Sequence, residues 1–345
     1  MSALRFELPQ RLEAHQPPEA RGLARDDVRL LVAAKRDRRI AHARFTDLPA
    51  FLAPGDLLVV NTSATLPAAL PARRSSDGWD LELRLSTPVP HRPVERWWIV
   101  ELRAQEQPFL SAREGDELVL PGGGRATVVA PFAGSRRLWL AKLDLPVPLL
   151  EYLGRHGRPI RYRYVPRDWP LSMYQTVFAA EPGSAEMPSA GRPFTAELVA
   201  ELVARGIHVA PVTLHTGVSS PERGESPYPE RYRVPEATAR LVNAVHGWGG
   251  RVIAVGTTVV RALETAANAD GTVRSGEGWT NLVVCGECEV RAVDGLITGW
   301  HEPEASHLQM LRAIADQDLL DKSYGAALDH GYLWHEFGDS HLILP

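Results

Sequence analysis

The sequence is poor in cysteine, in lysine and in long apolar runs. A membrane-spanning helix needs about 18 or more consecutive apolar residues, and no stretch among the 345 residues approaches that length. The opening residues, MSALRFELP, also lack the apolar core of a secretory signal. We therefore expect a cytoplasmic protein that does not enter a membrane.

The two cysteines form a single C-x-x-C pair, Cys285 and Cys288. Because no second Cys or His pair accompanies them, they fall short of a tetrahedral zinc site. A redox pair is favoured at a helix N-terminus, whereas this pair lies in the β-branched run VVCGECEV, which is typical of a strand. We predict two structural thiols within a strand, and no metal.

A basic excess is also missing, since the formal net charge is −4. Proteins that wrap nucleic acid non-specifically usually carry such an excess, so charge gives an RNA partner weak support. Lysine occurs three times and arginine supplies the other basic residues, which suits a GC-rich genome as well as forked phosphate contacts. An RNA partner gains support if one group of arginines lines a single face with the ligand pocket. These are Arg73, Arg74, Arg136, Arg137, Arg155, Arg158, Arg161, Arg163 and Arg167.

The chain has the composition of a globular protein, with 44% hydrophobic and 23% charged residues. From about Ala68 to Leu149, short alternating runs separated by Pro and Gly turns predict the antiparallel strands of a small barrel. Elsewhere helices and strands alternate, which predicts crossover units and a buried parallel sheet. The predicted fold class is α/β: a mixed, largely parallel sheet domain at residues 1–67 and 151–345, interrupted by an inserted antiparallel β-barrel domain at residues 68–150.

Four predicted strand ends and one predicted turn carry small or polar residues and are the candidate ligand-binding positions. Open α/β sheets bind ligands at the carboxyl ends of their strands, so we expect these positions to converge on one site. The residues are Asn61, Thr62, Ser189, Ala190, Gly191, Thr213, His215, Gly256, Thr257, Thr258, Arg261, Trp300 and His301.

Each candidate has a functional and a structural interpretation. A histidine such as His215 at a strand end can act as a general acid or base near neutral pH, although a lone histidine is more often structural. Thr257 and Thr258 open a helix with free N–H groups, and Arg261 could bind a carboxylate or phosphate. They could equally be a helix cap and a surface residue. Trp300 offers an aromatic face for a sulfonium or a base.

Two further stretches are ambiguous. The turn Pro188–Gly191 allows close backbone approach to a ligand but could be an ordinary loop. Glu302 and Glu304 offer carboxylates beside Trp300, although solvated loop acids are the commoner explanation.

In these same stretches the chain resembles the S-adenosylmethionine:tRNA ribosyltransferase-isomerase family of queuosine biosynthesis. The resemblance runs nearly end to end. It is carried, in order, by FELPQRLEAHQP, FTDLPAFLAPGDLLVVNTSATLPA, MYQTVFAAEPGSAEMPSAGRPF, VTLHTG, RVIAVGTTVVRALE, GLITGWHEPEASHLQML and FGDSHLIL.

The resemblance implies an α/β domain with an inserted barrel and a specific reaction. S-adenosylmethionine would give its ribosyl group to a 7-aminomethyl-7-deazaguanine in tRNA, forming epoxyqueuosine and releasing adenine and methionine. His215 is then the first acid/base candidate, followed by Glu230 and His301. The other candidate positions would hold the co-substrate or, at Arg261, a carboxylate or phosphate. The expected partners are tRNA and S-adenosylmethionine, with no metal, and the expected state is a monomer.

The chain also departs from the family pattern. N-T-R-V-x-P-A-R-L becomes N-T-S-A-T-L-P-A-A-L without arginine, P-T-A-G-L-H-F becomes P-S-A-G-R-P-F without histidine, and G-T-F becomes Val218–Ser219–Ser220. Two alternatives follow: a diverged paralogue that uses S-adenosylmethionine with another acceptor, or a non-catalytic RNA- or nucleotide-binding protein. A nucleotide-phosphate enzyme is weaker still, because the G-x-x-x-x-G-K-[ST] pattern is missing.

Overall fold

The structure is a computed structural model that describes residues 6–132, 135–218, 228–286, 288–303 and 306–345, without the side chains of residues 306 and 307. The predictions made for Ser219, Ser220 and Glu304 lie outside the described residues. None of the helices within these ranges is long and apolar enough to cross a membrane.

The described strands and helices are as follows in chain order. The strands are β1 Arg29–Ala34, β2 Ile40–Arg44, β3 Leu57–Asn61, β4 Ser63–Thr65, β5 Ala69–Arg74, β6 Asp80–Pro88, β7 Trp97–Ala104, β8 Gln107–Pro108, β9 Glu117–Val119, β10 Arg125–Pro131, β11 Leu138–Asp144, β12 Glu181–Ser184, β13 His208–Leu214, β14 Glu230–Val234, β15 Val252–Val255, β16 Gly276–Thr280, β17 Gly295–Gly299 and β18 Ser340–Leu344. The helices are α1 Leu149–His156, α2 Ala196–Ala204, α3 Glu236–Gly247, α4 Thr257–Ala266, α5 Ser306–Ile314 and α6 Gln317–Asp329.

The larger sheet has nine strands in the order β16-β14-β13-β3-β15-β17-β18-β1-β2. Its central strands β13, β3, β15 and β17 are parallel to their neighbours in that group, while the edge pairs β16–β14, β14–β13 and β1–β2 are antiparallel. The prediction of a mixed, largely parallel sheet is confirmed.

Strand β3 shows why the sheet is buried on both faces. Leu57 and Val59 point into the core formed with α3, α4, α5 and α6, whereas Leu58 and Val60 point into the core formed with α2 and the 3₁₀ helix Phe45–Ala50. Because side chains alternate along a strand, burial of both faces demands a continuous apolar run. The sequence LLVV supplies it.

The second sheet is a barrel, as predicted. Its order is β11-β10-β9-β5-β6-β7-β8, and β11 also pairs with β7, so six antiparallel strands close on themselves. Closure removes exposed strand edges, and the interior is filled by side chains such as Leu83, Val100 and Val128. The turn at Pro121–Gly123 joins β9 to β10, where Leu120 N donates to Gly124 O at 2.9 Å.

Thr195 caps α2, its Oγ1 accepting from Leu198 N at 3.2 Å. The cysteine prediction is wrong, because Cys285 and Cys288 are joined by a disulfide and the described residues of this stretch form no strand. A turn in which Cys288 N donates to Cys285 O at 2.9 Å brings the two side chains together. The β-branched run is only two residues long before this turn, which is too short for a strand.

Candidate active site

The carboxyl ends of four parallel strands form one edge of the large sheet. Strands β13, β3, β15 and β17 end there at Leu214, Asn61, Val255 and Gly299. The polar residues that follow these ends are therefore neighbours although they are far apart in the sequence. Crevices at such an edge are the usual ligand sites of open α/β sheets.

Asn61 ties three of these elements together. Its Nδ2 donates to Leu214 O at 2.8 Å and to Thr258 Oγ1 at 3.2 Å, and its Oδ1 accepts from Leu214 N at 3.0 Å and Ser63 N at 3.1 Å. The side chain is buried and its amide group is fully bonded. Asn61 therefore fixes the edge and has little hydrogen-bonding capacity left for a ligand.

His215 lies immediately beyond β13 in a network of hydroxyl groups. Its Nδ1 is 2.7 Å from Ser63 Oγ, which is itself 2.6 Å from Ser184 Oγ. Its Nε2 is 3.6 Å from Glu181 Oε1. Burial lowers the pKa of His215, while the Glu181 carboxylate opposes that shift. The ring is thus neutral near pH 7, with Nδ1 committed and Nε2 available for proton exchange.

Strand β12 passes directly against this ring because of a glycine. A Cβ built on Gly183 would lie 2.3 Å from His215 Nδ1, which no side chain tolerates. Gly183 and Ser184 belong to the stretch E-P-G-S, which pairs with β4 in a parallel ladder. Sequence reasoning missed Ser63, Glu181, Gly183 and Ser184, and no motif in E-P-G-S would have found them.

Glu181 lies between His215 and a cation. Arg233 Nη2 donates to Glu181 Oε2 at 2.5 Å and lies 3.4 Å from Thr213 Oγ1. Thr62 Oγ1 donates to Val212 O at 3.1 Å and is 3.1 Å from Thr213 Oγ1. The two threonine hydroxyls predicted as ligand contacts therefore lie in the same polar network as the histidine.

Glu230 and Arg261 are engaged with each other. Arg261 Nη1 donates to Glu230, while its Nε and Nη2 donate to Leu282 O at 3.1 Å and Thr280 O at 3.3 Å. Glu230 Oε1 accepts from Gly217 N at 2.8 Å. Arg261, predicted to contact a substrate carboxylate or phosphate, has its guanidinium engaged with Glu230 and two backbone carbonyls in this structure. Glu230 is a buried, ion-paired carboxylate, so it is a weaker acid/base candidate than His215.

The turn Ser189–Gly191 closes the edge over the start of α4. Gly256 caps that helix with φ 99°, a conformation that favours glycine. A Cβ there would lie 3.4 Å from the Cβ of Ala190. Ser189, Ala190 and Gly256 are thus close together as predicted for a ligand-binding wall, next to Thr257.

The structure does not agree with the prediction that Trp300 offers an open aromatic face to a ligand. It is 2% exposed, its ring stacks on His341 with centroids 4.7 Å apart, and Tyr324 and Trp334 pack around it at 5.0 and 5.3 Å. An aromatic face covered in this way is not open to a sulfonium or a base. Its neighbour His301 is half-buried, with Nε2 2.9 Å from Thr298 Oγ1, and remains near the edge.

A small cavity lies beside this edge, where β17 ends and β18 begins. Arg192 forms part of its wall and is almost fully buried, donating to Glu19 Oε2 at 2.8 Å and Met173 O at 2.9 Å. Sequence reasoning missed the loop before β18 that supplies much of the lining. The lining residues are Val28, Ser189, Ala190, Arg192, Pro193, Gly299, His335, Glu336, Phe337, Gly338, Asp339 and Ser340.

The arginines proposed to mark an RNA face are largely neutralised by neighbouring acids. Those with an acidic partner include Arg74, Arg137, Arg155, Arg158 and Arg161. Paired guanidinium groups offer less charge to phosphates, so these residues alone make no case for an RNA surface. In the described part of the chain, no group of three or more His, Cys, Asp or Glu residues is placed to hold a metal ion.

Comparison with known proteins places this geometry in context. Residues 1–343 match the family described as queuosine biosynthesis protein. A protein of Symbiobacterium thermophilum named S-adenosylmethionine:tRNA ribosyltransferase-isomerase is 38% identical, covering 100% of this chain and 99% of its own length. A protein of the same name from Moorella thermoacetica is 37% identical over 98% of both chains. The crystal structure of S-adenosylmethionine tRNA ribosyltransferase from Thermotoga maritima aligns with TM-score 0.55 and 28% identity, covering 99% of this chain and 100% of that one.

Proposed function

Because the chain belongs to the family of queuosine biosynthesis proteins, we propose that it is an S-adenosylmethionine-dependent ribosyltransferase-isomerase. It transfers and isomerises the ribosyl group of S-adenosylmethionine onto a 7-aminomethyl-7-deazaguanine in tRNA, yielding epoxyqueuosine, adenine and methionine. The observation that carries the proposal is the end-to-end match to relatives that bear this name. The sheet-and-barrel architecture supports it.

The reaction needs a base near the sulfonium. A positively charged sulfur acidifies the hydrogens of the neighbouring C5′ carbon, and removal of one of them can start ring opening. We assign this step to His215, which is neutral because burial lowers its pKa and whose Nε2 faces the Glu181 carboxylate at 3.6 Å. Once protonated at Nε2, the imidazolium would be stabilised by Glu181 at 3.6 Å.

An acid must help the adenine to leave. His301 is our second candidate, since it lies just after the end of β17 at the same edge of the sheet. Its Nε2 is 2.9 Å from Thr298 Oγ1, an arrangement that fixes the ring. Glu230 is the third candidate, although its carboxylate is bound by Arg261.

The walls for the co-substrate come from the strand ends. We assign co-substrate contacts to the hydroxyls of Thr62 and Thr213 and to the helix start at Thr257, with the turn Ser189–Gly191 above it. The free N–H groups at the start of α4 suit a carboxylate such as that of the methionine moiety. Asn61, Thr258 and Gly256 shape this wall through the contacts described above.

The remaining features belong to the same proposal. The partners are tRNA and S-adenosylmethionine as co-substrate, without a metal, in a monomer acting in the cytoplasm. The division into sheet residues 1–67 and 151–345 and barrel residues 68–150 also stays a proposal.

The test is an assay for both products and for transfer. The protein is incubated with ribosyl-labelled S-adenosylmethionine and tRNA carrying 7-aminomethyl-7-deazaguanine, with the same tRNA carrying guanine as the matched control. We expect adenine, methionine and labelled tRNA in equal amounts with the first tRNA, and none of them with the control. Measurable co-substrate binding without adenine would contradict the proposal and favour a binding protein, and adenine release with an untethered small acceptor would favour a diverged paralogue.

A further inference from the structure

His335 has an unusual backbone conformation. Five described non-glycine residues have positive φ: Arg38, His91, Gln105, Glu106 and His335. The first four are exposed, whereas the side chain of His335, with φ 73°, is only 6% exposed. Left-handed backbone at a residue other than glycine is strained, and such strain tends to occur at functional sites.

The loop that carries His335 is held rigidly. Asp339 accepts from Leu333 N at 2.8 Å and from Arg29 N at 2.7 Å, which ties both ends of the loop to β1. A Cβ on Gly338 would lie 2.3 Å from Leu333 O, so the turn requires glycine. The position of the imidazole is therefore set before any ligand arrives.

The imidazole has one covered face and one free nitrogen. Its ring stacks on Tyr164, with centroids 3.8 Å apart and an angle of 9°. Its Nε2 is buried and has no hydrogen-bond partner, although Glu302 Oε1 is 3.8 Å away and Glu13 Oε1 is 4.0 Å away. Buried polar atoms are normally satisfied, so an orphaned nitrogen pointing at two carboxylates indicates a missing donor.

The two carboxylates near this nitrogen would be stabilised by a cation. Neither Glu13 nor Glu302 has a Lys or Arg partner among the ion pairs of the described residues. Burial lowers the pKa of His335 to about 4, so the ring itself does not neutralise them. Burial and the nearby Glu13 raise the pKa of Glu302, the direction expected for a carboxyl group without a cationic partner.

We propose that His335, Glu302 and Glu13 form a subsite that binds a primary ammonium group of a substrate. An ammonium has three donors, and this subsite offers three acceptors. Separations of 3.8 and 4.0 Å between Nε2 and the carboxylate oxygens leave room for one nitrogen at about 2.7–3.0 Å from each. The Glu302 side chain is 57% exposed, so the subsite is accessible from solvent.

The subsite rests on the proposed function, which supplies two substrates with a primary amine. One is the α-amino group of S-adenosylmethionine, and the other is the aminomethyl group of the acceptor base. Both present the same chemistry, so the experiment has two arms. The lining of the adjacent cavity, which includes Ser189, Gly299 and His335, joins the subsite to the strand ends that carry the candidate active site.

The experiment measures binding of matched pairs of probes by calorimetry. The donor pair is S-adenosylmethionine and its deaminated 2-oxo analogue, which keeps the sulfonium and the carboxylate but lacks the ammonium. The acceptor pair is tRNA carrying 7-aminomethyl-7-deazaguanine and the same tRNA carrying guanine. The variants are Glu302→Gln and His335→Asn, because asparagine tolerates left-handed backbone. The control is His91→Asn, which alters an exposed histidine in the same backbone region, with φ 61°.

We expect both test variants to weaken binding of the ammonium-bearing member of one pair by about tenfold or more, since charge-assisted hydrogen bonds are lost. The test variants bind the probe that lacks the ammonium with the wild-type affinity. The control His91→Asn binds both members of each pair with the wild-type affinity. Wild-type affinities of Glu302→Gln for all four probes would overturn the proposal. Binding of Mg²⁺ or Mn²⁺ is also measured with the metal alone. Variants that lose metal binding but keep the wild-type affinity for both ammonium-bearing probes would overturn the proposal in favour of a metal site. Because no turnover is measured, failure here is distinct from failure of the proposed reaction.

Discussion

Two buried histidines lie on either side of the same sheet edge and differ in what fixes them. His215 is oriented by hydrogen bonds, with Ser63 at Nδ1 and the hydroxyl of Ser184 behind it. His335 is oriented by a strained loop and a stacked tyrosine, and its Nε2 has no partner. Burial lowers the pKa of both. A neutral imidazole in a bonded network suits proton transfer, whereas one left unbonded suits ligand binding.

The carboxylates near the two rings differ in the same sense. Glu181 is shared between His215 and Arg233, so its charge is balanced within the protein. Glu13 and Glu302 have only the neutral ring of His335 near them in the described ion pairs. Uncompensated carboxylates are costly when partly buried, and a cationic ligand relieves that cost. Both sites combine a histidine with carboxylates. The two sites differ in whether a cation within the protein balances the charge of the carboxylates, and this difference separates the catalytic role from the binding role.

The largest effect is expected from removing the catalytic imidazole. His215→Ala should lower turnover by about 10²–10⁴-fold, the usual contribution of a general acid or base, with co-substrate affinity little changed. The measurement is single-turnover adenine release at saturating substrates. His208→Ala is the matched control, because His208 is exposed at the opposite end of the same strand. Equal losses of turnover in the two variants would show that His215 has no specific role in catalysis.

The second effect concerns how the free energy of unfolding depends on pH through His335. The unfolded chain protonates this histidine near its ordinary pKa of 6.5, whereas the folded chain does so only near pH 4. Its contribution to the free energy of unfolding is therefore complete above pH 6.5 and is lost as pH falls towards 4. His335→Asn should flatten that decline by up to about 3 kcal/mol.

Chemical denaturation at several pH values between 4 and 7 tests this expectation. His91→Asn should keep the wild-type slope, since His91 is exposed. The same steep decline in His335→Asn as in the wild type would show that His335 is not a buried neutral base.

A third, smaller effect follows from the glycine beside His215. Gly183→Ala places a methyl group where the ring now lies, so the imidazole must shift, at a cost of about 1–3 kcal/mol in stability. Turnover should fall together with stability. Gly325→Ala is the control, because nothing lies within 4 Å of a Cβ there. If adenine release by Gly183→Ala matches that of the control, the position of His215 is not critical.

The smallest effect is expected at Ser63. Ser63→Ala removes the hydroxyl at 2.7 Å from His215 Nδ1, and a single hydrogen bond contributes about 1 kcal/mol, equivalent to roughly a fivefold change in rate. Turnover should fall by about that factor, with an altered pH–rate profile because the ring loses its fixed tautomer. An unchanged profile would indicate that the network does not orient the ring.

Several features could be predicted from the sequence because they depend on local patterns. Alternating runs predict the barrel, and an apolar run such as LLVV indicates a strand. Turn residues after strands gave the positions of His215 and Gly256 at the sheet edge. These signals are periodicities and breaks, which a single sequence displays directly.

Other features depend on contacts that no local pattern reports. The stretch E-P-G-S contains Pro and Gly, which argue against a strand, yet it pairs with β4 and supplies Gly183 and Ser184. Trp300 follows a strand end like a ligand contact, but distant aromatic rings bury it. The occupied guanidinium of Arg261 and the left-handed backbone of His335 likewise arise only from tertiary structure.

The most direct test of the account measures adenine released per ribosyl group transferred to 7-aminomethyl-7-deazaguanine tRNA, for the wild type, His215→Ala and His335→Asn side by side. We predict one adenine per transferred group for the wild type and almost none for His215→Ala. For His335→Asn we predict a rate near the wild-type value once substrates are saturating, with a raised KM. Absence of adenine from wild-type protein saturated with both substrates would contradict the proposed function. Undiminished release by His215→Ala would contradict the contrast between the two histidines.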